Sequence, residues 1–281
     1  MAFSSVPSQI GPFRVCDVLC TTLAGALVRV EDVQGGGRQT LMLLDPDEAG
    51  WPARLRQQHR LSSHPRLCRL APGGPGRLEG ADRAYYYVGT EPLCGWTVLD
   101  EVAREGRIAP LERAVRLGAE AAEALAHAHQ QGLAHGHLEP GCLFIQTYAE
   151  EDEGHIKLLG VGLQVVARPA SRAARYRPWP GPVARSHRAR FAQDVAALGG
   201  VLSYMITGQV PDHRDPARAL QAACTPPALM EVVLRAMSTA PRRRFASAAA
   251  LHQALLEVDL SPPAGRPRAP SLWQPRQRAQ A

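Results

Sequence analysis

Five side chains able to bind metal or move protons fall within sixteen residues: His127, His129, His135, His137 and Cys142. Imidazoles and a thiolate at short spacing are zinc-ligand types, and a histidine suits proton transfer near neutral pH. The spacing argues against one shared ion. His127 and His129 are two apart on a helical stretch, so they point to different sides. His137 could accept a proton, but no cation for phosphate and no oxygen cluster for magnesium stands beside it in sequence. Charge chemistry elsewhere is one-sided. Of 32 basic residues 31 are arginine, Lys157 is the single lysine, and there is no asparagine. Reactions needing a second lysine or an asparagine ligand are excluded, and so is N-glycosylation.

The elements that must position these groups follow from patterning. Phe13–Leu19 and Ala26–Glu31 alternate as two strands around a small-residue turn, and Thr40–Leu44 is a buried strand. Residues 53–61 are weakly helical, ended by His64-Pro65. A Gly/Pro-rich loop over 71–80 leads to the strand Ala84–Val88. Leu111 to His129 is alanine-rich, free of proline, and carries apolar residues at helical spacing. Leu143–Ile145 and Ile156–Leu159 form a hairpin with an acidic tip, Glu150 to Glu153. Residues 164–193 hold no acid, four prolines and seven arginines, and read as a long loop. Helical patterns return at 193–207, 227–239 and 246–257. The last residues, 261–281, carry five prolines and four arginines and read as a disordered tail. Strands followed by helices give an α+β protein of two lobes.

Other classes fall away. No apolar run reaches the eighteen or so residues of a membrane span, and the N-terminal residues lack a signal-peptide pattern. The six cysteines at 16, 20, 68, 94, 142 and 224 contain no CxxC pair and read as free thiols in a reducing compartment, hence a cytoplasmic protein. Aromatics at 5% and no recognisable motif disfavour nucleic acid.

Read in order, four segments resemble a protein kinase domain of the bacterial Ser/Thr type. Ala128–Ile145, containing His135-Gly-His-Leu-Glu-Pro140, resembles the catalytic loop. Gly154–Gly162 resembles the strand running into the magnesium-binding DFG motif. Gln193–Gly208 resembles the central helix of the C-lobe, and Pro241–Ser247 the arginine motif near the domain's end. The resemblance implies a protein kinase-like bilobal fold. Residues 1–9 would be an extension, 10–260 the domain, with an N-lobe over about 10–90 and a C-lobe over about 96–260, and 261–281 the tail.

The resemblance also locates the positions that perform phosphotransfer in the family, and each holds a different residue. The Gly-rich loop is reduced to Gly25. The strand lysine falls near Leu43. The helical glutamate has only Gln57 and Gln58 nearby. The catalytic aspartate corresponds to His137, the following lysine to Glu139, the magnesium-binding asparagine to Cys142 and the DFG aspartate to Gly160. Positioning and charge neutralisation supply most phosphoryl-transfer catalysis. The expectation is therefore a pseudokinase, not an enzyme, with ATP and Mg²⁺ weakly bound or unbound. It would regulate or scaffold a protein partner in bacterial signalling. Weak or unusual ATP-dependent transfer is the alternative, and a purely structural part of an assembly a third reading. His135, Asp194 and Arg244 match structural positions of the family. A partner, such as an active kinase or a phosphorylated or acidic protein, would meet Arg168, Arg172, Arg175, Arg177, Arg185, Arg188 and Arg190.

Overall fold

The β-branched and leucine-rich first third folds as a sheet because apolar residues recur along its strands, and the run Thr40–Leu44 is buried on both faces. In the computed structural model, residues 6, 8–22, 25–35, 37–44, 53, 56–58, 60–61, 64–70, 76–79, 84–148, 152–162, 179 and 187–261 are described. The N-terminal lobe is a six-stranded antiparallel sheet in the order β1-β2-β3-β4-β6-β5. Its strands are β1 (Gln9–Ile10), β2 (Phe13–Thr22), β3 (Gly25–Asp32), β4 (Arg38–Leu44), β5 (Gly76–Glu79) and β6 (Ala84–Thr90). Strands 2, 3, 4 and 6 match the patterned segments but run a few residues longer.

A short three-stranded antiparallel sheet begins the second lobe: β7 (Gly95–Thr97), β8 (Leu143–Gln146) and β9 (His155–Leu158). Helices α1 (Val98–Glu105), α2 (Leu111–Gln130), α3 (His187–Thr207), α4 (Pro216–Ala222), α5 (Pro227–Met237) and α6 (Ala248–Glu257) follow around it. Helix α2 is the predicted alanine-rich helix, and its small residues let α3 and α6 approach closely. A Cβ on Gly118 would clash with the Leu202 side chain of α3. Helix α3 starts six residues before the predicted position, so the end of the arginine-rich segment is helical and not loop. Sequence reading missed α1, although Thr97 and Asp100 form a reciprocal capping box at its start.

Two apolar layers divide the sheet. Because side chains alternate along β4, Leu41 and Leu43 pack outward with Ile10, Phe13, Ala26, Val28 and Val30. Met42 and Leu44 pack inward with Leu19, Cys20, Leu27, Val88 and Leu93. The inner layer reaches Phe144 and Leu159, so it spans the junction of the lobes. The larger core fills the second lobe around α2 and α3. No helix among the described residues is long and apolar enough to cross a membrane.

Candidate functional site

The segment from the end of α2 to β8 lies under the sheet, and one carboxylate fixes its shape. Asp194 on α3 is 1% exposed. It accepts hydrogen bonds from the backbone N–H of His135 at 2.7 Å and of Gly136 at 2.9 Å, and lies 2.8 Å from His129 Nε2. His135 is buried beside it, 2.9 Å from the carbonyl of Leu159. A carbonyl only accepts, so Nε2 carries the proton and Nδ1 is free to accept from the His137 N–H at 3.3 Å. Burial holds His135 below the usual imidazole range.

His137 follows in a largely enclosed position. Its Nε2 has no hydrogen-bond partner among the described residues. Burial, with His135 close by, brings its pKa down to about 4. Glu139 lies 4.0 Å from Nε2, outside hydrogen-bond range, and does not restore the charged ring. The sign follows from linkage. The unfolded chain binds a proton here below pH 6.5 and the folded chain resists it. Stability is therefore present in full above pH 6.5 and declines as pH falls toward 4. The loss by pH 4 is on the order of 3 kcal/mol. A His137→Gln variant should show a flatter profile over that interval, read as urea midpoints at stepped pH.

The other positions can be placed in turn. Residues Pro140–Cys142 form one 3₁₀ turn, and the Cys142 thiol, 3.6 Å from the carbonyl of His137, is pushed well above its ordinary range by burial. Cys20, on the inner layer opposite, is pushed up to about 12 by burial first and the nearby Asp100 carboxylate second. Both are protonated thiols, and neither is a ligand or nucleophile as it stands. Gly160 follows β9 at φ +71°, a left-handed conformation that L side chains rarely adopt. Val161 beside it is buried in the second-lobe core. Gly25 opens β3 opposite Thr22 and Leu44. Leu43 packs on the outer layer, and its neighbours Met42 and Leu44 face inward. Of the two glutamines, Gln58 is buried and Gln57 exposed. Among the described residues, no group of three His, Cys, Asp or Glu side chains could hold a metal ion.

Among the described residues the inner layer is apolar and buried. Phe144 and Leu44 are 0% exposed, and Leu27, Val88, Leu93 and Leu159 are buried around them. Strand β2 lies against the 140–142 turn and β7. Across the same junction the single lysine, Lys157 on β9, donates to both carboxylate oxygens of Glu91 at 2.9 and 3.1 Å. Residues 66–68 add backbone bonds to Leu158. The lobes are thus joined by apolar packing, an ion pair and main-chain pairing. The ion pair had no sequence signal, because its partners are 66 residues apart.

Arg244 is 5% exposed and donates to the carbonyls of Ser238 and Ala192. Trp179 is buried, and its indole N–H donates to the Met237 carbonyl at 2.8 Å. Arg168, Arg172, Arg175, Arg177 and Arg185 lie outside the described residues, as does the 262–281 tail. Arg188 and Arg190 lie at the start of α3, with Arg190 half-buried.

No family model matches the chain. Among solved structures, the PknI kinase domain of Mycobacterium tuberculosis superposes with a TM-score of 0.63 at 22% identity, covering 90% of this chain and 99% of that one. The fold is protein kinase-like. Curated relatives agree. The Ser/Thr protein kinase PknB of Mycolicibacterium smegmatis is 27% identical over 215 residues, 70% of this chain and 34% of that protein. PksC, a Ser/Thr protein kinase of Streptomyces coelicolor, is 26% identical over 231 residues, 71% of this chain and 39% of that one. The chain therefore spans about a third of the length of these relatives. This kinship overturns the expectation that the kinase-like domain is not an enzyme. Its homologues are Ser/Thr protein kinases, and the substituted side chains do not by themselves place it outside catalysis.

Proposed function

We propose that this chain serves bacterial signalling as a protein-binding module, one that regulates or scaffolds its partner through a kinase-like domain. The observation that supports this reading is the buried apolar layer between the lobes, centred on Phe144 and Leu44. A nucleotide entering there would have to open that layer, and its apparent affinity would fall by the fraction of molecules already open. ATP and Mg²⁺ would accordingly bind weakly. The partner would be an active kinase or a phosphorylated or acidic protein, gripped by bidentate guanidinium contacts from residues 168–190. A cytoplasmic location accompanies this reading, in keeping with six free cysteines.

The kinship with Ser/Thr protein kinases favours a second reading, ATP-dependent transfer in an altered pose. His137 and Glu139 are then the titratable groups at hand, and each would be the first to replace. The partner arm is tested by replacing Arg168, Arg172, Arg175 and Arg177 together with serine. A partner captured by crosslinking and identified by mass spectrometry should be lost with that variant and kept with wild type. Equal capture by both would overturn the assignment of these arginines.

A further inference from the structure

A concave site lies on the second lobe. Helices α2 and α6 leave a groove of about 440 Å³ between them. Its floor is apolar, formed by Val115, Ala119, Leu255 and Leu256. Leu256 is 61% exposed, an unusual state for leucine on a helix whose neighbours Leu251 and Leu255 are buried. Glu112 is exposed on the rim, and Glu123 is 44% exposed. Arg116 also lines the groove, but its guanidinium is held by Glu120 and Glu153. The site therefore suits an apolar segment carrying positive charge.

Such a segment follows directly in the chain. Val258 and Leu260 line the groove's edge, and the described residues end at Ser261. Beyond lie Arg266, Arg268, Leu272, Trp273, Arg276 and Arg278, with no acid. Pro262, Pro263 and Gly265 supply turn-forming residue types at the exit. The eleven residues from Pro262 to Leu272 reach about 36 Å when extended. The ten-residue helix α6 is only about 15 Å long. The chain can therefore reverse and run back along the groove. We propose that residues 262–281 dock in cis on the α2–α6 groove, with Leu272 and Trp273 on its apolar floor and the arginines facing Glu112 and Glu123. This is a surface distinct from the lobe junction, and it is occupied by the protein itself until a competing basic, apolar segment displaces it.

Hydrogen exchange on the full chain tests this. In a Leu272→Ser, Trp273→Ser double variant, amides of 251–260 should exchange about threefold or more faster than in wild type at low salt. High salt should narrow the difference by screening the rim. Equal exchange in the two proteins would overturn the proposal. A second variant acts from the other side. Leu256→Glu replaces an exposed side chain and leaves the core intact. It should raise acrylamide quenching of Trp273, taken as the difference between chains with and without Trp273→Phe. Unchanged quenching would count against docking. Protection of 251–260 that rises with protein concentration, together with a dimer in sedimentation, would assign the groove to a second copy and also overturn it.

Discussion

Replacing Asp194 with alanine should remove about 3–5 kcal/mol of stability, the largest single loss expected from any polar side chain here. The carboxylate is 1% exposed and holds two backbone N–H groups and the His129 ring. Its removal leaves those donors without acceptors in a loop whose Leu133, His135 and Leu138 are buried in the second lobe. Asp194→Asn should cost less, about 1–3 kcal/mol, since one amide oxygen remains to accept while the NH₂ faces a donor. Urea denaturation at pH 7.5 of the wild type and both variants checks the order. A loss below 1 kcal/mol for alanine would mean that the loop is held by its apolar packing alone. The same substitution should disturb the tautomer and placement of His135, visible as shifted imidazole signals.

Phe144→Ala carries the second large effect. The ring is fully buried where the inner sheet layer meets the second lobe. Truncation removes apolar contacts and leaves a cavity, a combination that costs about 3–5 kcal/mol for phenylalanine. The loss should appear in the denaturation midpoint without a change in slope, because the same surface unfolds. Val161, in the neighbouring core cluster, gives a contrast in kind. Its smaller side chain and separate surroundings predict a smaller loss on truncation to alanine. A Phe144 variant as stable as the wild type would show that the junction is not tightly packed.

The order of the kinase-like segments was readable because local motifs fix it. His135-Gly-His-Leu-Glu-Pro140 and Gln193-Asp194 sit at the end of a helix and near the start of another, and both helices show in the spacing of apolar residues. What the sequence did not reveal depended on register or on distance. Leu43 and Leu44 differ in role by one residue, and the alternation of a strand turns that into opposite faces. The Lys157–Glu91 pair joins β9 to the residue that follows β6, 66 residues away, and nothing local announces it. The partners of Arg244 are carbonyls, which carry no side-chain signature. Helix α1 was missed although Thr97-Val-Leu-Asp100 is a start signal, because eight residues offer too little periodicity to stand out. The expectation of a non-enzyme failed differently. It weighed the substituted catalytic positions, and kinship with Ser/Thr protein kinases weighs against it.

Thermal unfolding of the wild-type protein in several millimolar ATP, with and without Mg²⁺ or Mn²⁺, most directly tests whether the apolar lobe junction excludes nucleotide. A ligand that binds only the folded state raises stability by RT ln(1 + [L]/Kd), so even a millimolar site is visible. With Phe144 and Leu44 buried at the junction, the midpoint should move by less than about 1 °C under any of these conditions. A metal-dependent rise of about 3 °C or more would contradict the account, showing a nucleotide site that opens readily and favouring transfer chemistry through His137 and Glu139.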